Sequence, residues 1–217
     1  DRRKDEFLAM LAHELRNPLA PIRNAVSVLK LADNNPEARE LAADTISRQS
    51  AQLVRLIDDL LDASRINQGK LELRMARIEL APIIHQAVET CRPMADSANQ
   101  EVTVTLPPQP IYLDADPIRL SQVVSNLLNN ACKFVVQPGL IRLIVERRAN
   151  DVRIIVKDNG IGIPPEILDR IFEPFFSTKG PEKGTGLGLS TVIGIVRSHG
   201  GFVRVHSDPG KGSTFAI

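Results

Sequence analysis

Apolar residues in the first part of the chain recur at alternating steps of three and four. One row holds Leu8, Leu15, Ile22 and Leu29, and a second row holds Ala12, Leu19 and Val26. This spacing is typical of helices that pack along a coiled-coil-like seam. The pattern stops at a turn signal, residues 33–36, and a second seam follows at Ala42, Ile46, Gln49, Leu53, Leu56, Leu60 and Ala63. We predict a helical hairpin of residues 5–31 and 37–67, with helices about 40–45 Å long.

Two helices alone bury apolar residues on one side only. Two copies of the hairpin that associate into a four-helix bundle would cover the remaining apolar side. The alternative is that this side packs against the rest of the chain. We expect the first of these, a homodimer.

The pattern changes near residue 69, since all 13 glycines lie at or beyond Gly69. Short alternating runs predict strands at 71–74, 101–105, 111–113, 141–147, 152–157, 202–207 and 213–217, and helices at 80–98, 116–136 and 187–199. Several helices beside a mixed, mostly antiparallel sheet form a two-layer α/β sandwich. The predicted fold is therefore α + α/β, with a helical domain at 1–68 and a sandwich domain at 69–217.

Composition narrows the classes of function. The chain has 27 basic and 26 acidic residues, a net charge of +1, which is too little for a dedicated nucleic-acid binder or a polybasic membrane surface. No apolar run approaches the ~20 residues that span a bilayer, so we expect no membrane contact in this fragment. The two cysteines, Cys91 and Cys132, form no metal-ligand set. Packed thiols in a reducing compartment are expected, and the sequence leaves a disulfide open.

One polar cluster, His13-Glu14-Leu15-Arg16-Asn17-Pro18, interrupts the first helix. His13 follows a seam residue and is expected beside the seam, with Asn17 one turn further on the same face. A neutral imidazole is a good nucleophile, and a carboxylate such as Glu14 can accept its ring proton. A surface histidine without function is the alternative, and His85, His199 and His206 are interpreted in that way.

Three segments of the second domain suit a nucleotide. Gly184-Thr185-Gly186-Leu187-Gly188-Leu189-Ser190 opens the last long helix, where glycines and free N–H groups can approach phosphate. Asp158-Asn159-Gly160-Ile161-Gly162-Ile163-Pro164 follows a strand, and its carboxylate can accept from a base amino group unless the segment is only a tight turn. Asn126, Asn130 and Lys133 share a helix face; amide oxygens suit hydrated Mg²⁺ and a lysine suits phosphate, whereas the alternative is a plain polar face.

Between these segments lies an aromatic cluster, Ile171-Phe172-Glu173-Pro174-Phe175-Phe176. Its alternative interpretation is a local hydrophobic staple. The seven polar residues after it, 177–183, include Lys179 and Lys183 and are a candidate lid over a nucleotide. The lid is short, so few lid contacts are expected.

In their order along the chain, the five segments resemble those of bacterial two-component sensor histidine kinases. His13–Pro18 resembles the phosphoacceptor motif, Asn126–Phe134 the asparagine box, and Asp158–Gly162 the first glycine box. Phe172–Phe176 resembles the phenylalanine box and Gly184–Gly188 the second glycine box. The resemblance covers essentially the whole chain, and it implies a dimerisation and phosphotransfer domain followed by an ATP-binding domain of the gyrase, MutL and kinase superfamily.

The resemblance also implies roles for single residues. His13 is expected to receive the phosphoryl group of ATP, with Glu14 as its base, and Asn17 to position a water during dephosphorylation of a partner. Asn130, assisted by Asn126, would bind Mg²⁺, and Asp158 would bind the adenine amino group. Phosphate contacts are expected from Lys133 and from Lys179 or Lys183. The remaining expected nucleotide contacts are Phe134, Gly160, Gly162, Ile163, Gly184, Thr185, Gly186, Leu187, Gly188 and Leu189.

The implied function is an ATP-dependent protein-histidine kinase that passes its phosphoryl group to the receiver domain of a separate response regulator. We expect this fragment to be cytoplasmic. The sequence leaves open whether segments outside it anchor the parent protein in a membrane. Two alternatives belong to other classes. One is an ATP hydrolase of the same superfamily, which would need Glu at the position of Asn126, and the other is a silent dimeric scaffold.

Overall fold

A computed structural model of the chain describes residues 2–31, 35–135, 138–149, 151–178 and 186–217. Within those ranges no helix is both long enough and apolar enough to cross a membrane. The described residues form a long helical hairpin followed by an α/β unit with its own apolar core.

The hairpin consists of α1, Arg2–Leu31, and α2, Pro36–Asn67. Asn35 caps α2 by accepting a hydrogen bond from the Ala38 amide at 3.0 Å, and Pro36 occupies the first helical position. The helix ends where Gly69 adopts a φ of +64°, a left-handed conformation that glycine adopts at little cost. Both predicted helices are confirmed; of the predicted turn at 33–36, residues 33 and 34 lie outside the described residues, and Asn35 and Pro36 begin α2.

The two apolar rows of α1 have different surroundings. Leu15, Ile22 and Leu29 are half-buried, and Ala25 beside them is buried, because this side of α1 packs against α2. The second row is on the surface, with Leu19 52% exposed and Val26 38% exposed. On α2 the predicted seam supplies the buried side, with Ala42 and Leu56 each 5% exposed. The first row of α1 therefore packs against α2, and the second row is exposed on the surface of the hairpin.

The α/β unit contains seven strands and four helices among the described residues. In chain order they are β1 Ala76–Glu79, α3 Leu80–Ser97, β2 Gln100–Thr105, β3 Tyr112–Ala115, α4 Pro117–Phe134, β4 Gly139–Arg148, β5 Asp151–Asp158, α5 Pro165–Leu168, α6 Gly188–Ser198, β6 Arg204–Asp208 and β7 Gly212–Ala216.

Five strands form one sheet in the order β2-β4-β5-β7-β6. The β2–β4 pair is parallel and the other three pairs are antiparallel, so the sheet is mixed and mostly antiparallel, as predicted. Ile141, Leu143 and Val145 alternate along β4 and are buried, because this face meets α3, α4 and α6 in one core. The second layer is therefore helical, and the predicted two-layer sandwich is confirmed.

Two details of the prediction are wrong. The predicted strand at 71–74 has no strand structure; the strand begins at Ala76 and pairs with β3 in a separate two-stranded sheet. The amide of Arg74 instead donates to the Asp116 carboxylate at 2.9 Å, 42 residues away. The short helix α5 was not predicted at all. The domain boundary near Gly69 stays a prediction.

Candidate functional site

Helix α4 provides one side of the candidate site. Its apolar face is fully buried at Val123, Val124 and Leu128, so the opposite residues must point away from the core. Asn126 and Asn130 are half-buried on that opposite side, and Lys133 is exposed one turn further. The helix therefore presents two amides and an ammonium group in a row, as the spacing predicted.

The start of α4 is fixed by a buried carboxylate. Asp116 accepts hydrogen bonds from the amides of Ile118 at 3.0 Å, Arg119 at 3.1 Å and Arg74 at 2.9 Å. Burial opposes the charge, but the three backbone donors outweigh it and hold the pKa of Asp116 below its usual range. This aspartate anchors the helix that carries the amides, and sequence reasoning did not identify it, although an Asp-Pro pair before a helix is a capping signal.

His199, at the end of α6, binds the backbone of Asp116 at the start of α4. Its Nε2 accepts from the Asp116 amide at 3.0 Å, and its Nδ1 lies 2.9 Å from the Ile195 carbonyl oxygen. The ring therefore carries its proton on Nδ1 in this arrangement. The prediction that His199 is only a surface histidine is wrong, because its ring accepts a hydrogen bond from the Asp116 amide, 83 residues away in the sequence.

A second buried carboxylate, Asp158, ends β5 and is 7% exposed. Its Oδ1 accepts from the amides of Gly160 at 2.8 Å and Ser213 at 3.3 Å. Burial dominates over these two bonds and raises the pKa of Asp158 above its usual range. Within the described part of the chain, no donor reaches Oδ2. A carboxylate oxygen without a protein donor, on a residue that is otherwise buried, suits a ligand that brings a donor of its own.

The loop after Asp158 is held against α4 and β4. The side chain of Asn159 accepts from the Leu140 amide and donates to the Pro138 carbonyl, both at 2.8 Å. A Cβ on Gly160 would lie 2.5 Å from the Phe134 carbonyl oxygen, so only glycine allows this close approach. The loop therefore packs closely against the end of α4. Sequence reasoning missed the role of Asn159, because its partner Leu140 lies on β4, 19 residues earlier.

The third part of the site is the start of α6. The amide group of Asn126 donates to the Gly188 carbonyl at 3.4 Å, which joins α4 to the first turn of α6. Leu187 precedes this turn and supplies no side-chain cap. The amide of Phe175 donates to the Gly186 carbonyl at 2.9 Å, so two residues on either side of the predicted lid at 177–183 are hydrogen-bonded to each other.

The structure thus brings many of the predicted site residues into one region and leaves others outside. Asn126, Asn130, Lys133 and Phe134 lie along α4, where Gly188 meets Asn126 and Gly160 meets Phe134. Asp158 lies two residues before Gly160, and Gly186, Leu187 and Leu189 flank Gly188. Gly162 and Ile163 instead contact β6, at Asp208 and Ser207. Lys179, Lys183, Gly184 and Thr185 fall outside the described residues. His13 and Asn17 lie on α1, in the hairpin; the side chains of His13 and Glu14 are not among those described, and Asn17 is half-buried.

The chemistry of this region fits a purine nucleotide with a divalent cation. The Asp158 carboxylate can accept from an exocyclic amino group, and the uncapped first turn of α6 favours negative phosphate. Among the described residues there is no group of three or more His, Cys, Asp or Glu side chains able to hold a metal ion. That is compatible with Mg²⁺, which needs only one or two protein oxygens when phosphates and waters complete its shell.

Comparison with known families gives two matches on this chain. Residues 3–69 match the His Kinase A (phospho-acceptor) domain. Residues 115–217 match the Histidine kinase-, DNA gyrase B-, and HSP90-like ATPase family. The first match covers the hairpin, and the second covers α4, the Asp158 loop and α6.

Individual relatives agree with these matches. The chain is 35% identical to the alginate biosynthesis sensor protein KinB of Pseudomonas aeruginosa over 99% of its own length and 36% of KinB. It superposes on full-length ShkA in complex with AMPPNP with a TM-score of 0.72, at 30% identity, over 97% of this chain and 44% of ShkA. It superposes on histidine kinase ThkA in complex with response regulator protein TrrA with a TM-score of 0.67, at 26% identity, over 100% of this chain and 63% of the other. The chain spans 36% to 56% of the length of the first curated relatives that it matches.

Proposed function

This chain belongs to the sensor histidine kinases, and from that premise we propose that it transfers the γ-phosphoryl group of ATP to His13 and then to a response regulator. The observation that carries the proposal is the buried Asp158, whose Oδ1 is bound by backbone while Oδ2 meets no donor among the described residues. We assign Oδ2 to the exocyclic amino group of adenine. The AMPPNP bound to ShkA supports a nucleotide at this site.

The phosphate end of the nucleotide would lie along α4 and the first turn of α6. Asn126 already donates to the Gly188 carbonyl through its amide nitrogen, so its amide oxygen remains for another ligand. We propose that the oxygens of Asn130 and Asn126 hold Mg²⁺ and that Lys133 contacts phosphate. Mg²⁺, when bound, would neutralise charge on the phosphate oxygens. Further phosphate contacts are proposed for Gly184, Thr185 and one of Lys179 and Lys183.

At His13 the reaction is a displacement at phosphorus. The imidazole nitrogen forms a bond to the γ-phosphorus, the bond from that phosphorus to the bridging oxygen breaks, and ADP leaves. Glu14 accepts the proton from the other ring nitrogen, which keeps the attacking imidazole nucleophilic. Positioning supplies most of the catalysis in phosphoryl transfer, so the ATP-binding domain must bring the nucleotide to His13.

We propose that the active form is a homodimer. The second row of α1, including Leu19 and Val26, is exposed, and α2 exposes a further apolar row at Val54, Ile57 and Leu61. Burying these residues against a second copy would form a four-helix bundle. The match to the His Kinase A domain supports this assembly.

The second step passes the phosphoryl group from His13 to an aspartate of a receiver domain. The ThkA structure, which contains the response regulator TrrA, supports a partner of this class. We propose that Asn17, one turn beyond His13, positions water when the phosphorylated regulator is hydrolysed. Both domains would act in the cytoplasm, where ATP is found.

A labelling experiment tests the function. The chain is incubated with γ-labelled ATP and Mg²⁺, and the stability of protein-bound label is measured in acid and base. We expect acid-labile, base-stable label that is absent from His13→Gln. Label on His13→Gln contradicts the assignment. Free phosphate without protein label indicates an ATP hydrolase, and absence of ATP binding indicates a scaffold.

A further inference from the structure

The five-stranded sheet has one face that is turned to solvent. Ile141, Leu143 and Val145 alternate along β4 and face the helical layer. Because successive side chains of a strand point to opposite faces, Arg142 and Ile144 between them point away from the helices. Arg142 is exposed and Ile144 is half-buried, in agreement with this alternation. We call this surface the outer face of the sheet.

Strand register brings five polar side chains into one row across the outer face. The pairs are Thr103 with Arg142, Arg142 with Lys157, Lys157 with Thr214, and Thr214 with His206. Residues that pair on neighbouring strands point to the same face, so every strand of the sheet contributes one residue. We call these five residues the basic row. It contains two cationic side chains, an imidazole and two hydroxyl groups, and no carboxylate.

The centre of the basic row places two like charges side by side. Arg142 and Lys157 are direct cross-strand partners, and both side chains are exposed. Within the described part of the chain, neither of them forms an ion pair or a side-chain hydrogen bond. Like charges directly opposite each other destabilise a sheet. The free protein therefore has a repulsive contact that a bound anionic group would relieve.

The acidic residues of the outer face lie at its margins. Glu146 is bound by Arg148 at 3.1 Å, and Asp208, on the edge strand β6, is bound by Lys211 at 3.7 Å. The other two are Glu101, on the edge strand β2, and Asp151, the first residue of β5. The middle of the outer face thus carries positive charge that the described residues leave unneutralised.

An apolar row lies beside the basic row. It consists of Ile144, which pairs with Ile155, and of Ala216, which pairs with Ile155 on the other side. Both isoleucines are half-buried. Positive charge next to branched apolar side chains fits a protein segment that carries carboxylates and apolar side chains together. A nucleic acid or an anionic membrane would use charge alone, and the net charge of the chain is only +1.

We propose that the basic row and the apolar row together form a docking surface for an acidic segment of a partner protein. Carboxylates of the partner neutralise Arg142 and Lys157, and its apolar side chains pack on Ile144 and Ile155. Asp158 follows Lys157 directly and therefore points to the opposite face of β5, into the domain. Docking on the outer face thus goes beyond the proposed function and does not depend on nucleotide binding.

The test uses two variants that change the surface in different ways. Lys157→Glu reverses one charge of the central pair, and Ile155→Thr removes apolar surface but keeps a β-branched side chain. Lys70→Glu is the matched control, because it makes the same charge reversal at an exposed residue between α2 and β1.

The probe is a fluorescein-labelled peptide of glutamate and leucine residues. Its binding to the whole chain is measured by fluorescence anisotropy. A single-stranded oligonucleotide is measured in the same way, and vesicles that contain phosphatidylserine are measured by cosedimentation. Urea unfolding of the same proteins reports on the repulsion without any partner.

We expect the wild type and Lys70→Glu to bind the peptide alike, and Lys157→Glu to bind it at least about tenfold more weakly. Ile155→Thr should bind the peptide about threefold to tenfold more weakly, because it loses buried apolar area. In the absence of peptide, Lys157→Glu should unfold at a urea concentration about 0.1–0.5 M higher than the wild type, since Arg142 then faces an opposite charge. Weaker docking together with higher stability separates loss of the surface from loss of the fold.

Three results overturn the proposal. The first is that the wild type does not bind the peptide, or binds it no better than Lys157→Glu does. The second is tighter binding of the oligonucleotide or of the vesicles than of the peptide, because the partner would then not be an acidic protein. The third is a lower urea midpoint for Lys157→Glu, because the central pair would then not be repulsive.

Discussion

The substitution Asp158→Asn separates nucleotide recognition from folding. An asparagine side chain can keep its oxygen at the position of Oδ1, where it accepts from the amides of Gly160 and Ser213. Its amide nitrogen then replaces Oδ2 and presents a donor to the donor amino group of adenine. The ligand loses a hydrogen bond to a charged acceptor, which is worth about 1.5–3 kcal/mol. Including the mismatch of two donors, we expect a loss of about 2–3 kcal/mol, or roughly 30- to 150-fold in ATP affinity.

The same substitution should not destabilise the free protein. Burial raises the pKa of Asp158, so the fold disfavours the ionised carboxylate at neutral pH and a neutral amide removes that cost. Asp116→Asn is the matched control. Its pKa is lowered because three backbone donors outweigh the cost of burial, so this substitution should reduce stability by about 1–3 kcal/mol and leave ATP affinity of the folded protein unchanged.

Calorimetric titration with ATP and urea unfolding of both variants measure the two effects. The reasoning fails if Asp158→Asn binds ATP within about twofold of the wild type, or if its lost affinity is matched by a lost fold. It also fails if Asp116→Asn has wild-type stability, because the opposite pKa shifts of the two aspartates would then have no energetic meaning.

Three further outcomes follow from the described contacts. The folded-state pKa of Asp116 lies below its unfolded value, so its carboxylate contributes stability that is present above about pH 4 and is lost as the pH falls through the folded-state pKa; the urea stability gap between wild type and Asp116→Asn should shrink over that range. Gly160→Ala places a methyl group 2.5 Å from the Phe134 carbonyl, and thermal unfolding should show a loss of about 1–3 kcal/mol together with weaker ATP binding. Leu19→Glu removes an exposed apolar residue that we assign to the dimer interface. Sedimentation should show a dimer dissociation constant at least about tenfold higher than that of the exposed control Asn24→Glu.

The features that depend on local spacing were predictable. Asn126 and Asn130 are four residues apart, and helical geometry alone places them on one side of α4. The rows of α1 follow in the same way, although the sequence did not indicate which row α2 would bury. That choice depends on how two helices are rotated against each other, and heptad spacing leaves the rotation open.

The features that depend on distant partners were not predictable. Leu71 and Leu73 alternate with charged residues as in a strand, but the Arg74 amide is bound by Asp116, 42 residues away. His199 resembled an ordinary surface residue in the sequence, because its hydrogen-bond donor, the Asp116 amide before α4, lies 83 residues away. The contact of Asp62 with Arg119 joins residues 57 apart, and no local pattern marks it.

The hydrogen bond from the Phe175 amide to the Gly186 carbonyl has a consequence for protein engineering. It fixes the entry and exit of the intervening segment at neighbouring points, so the span that this segment must bridge is independent of its length. For a segment whose ends are already held together, doubling the number of residues costs only about 0.6 kcal/mol of closure entropy. A longer sequence inserted between these two residues should therefore leave the sandwich intact.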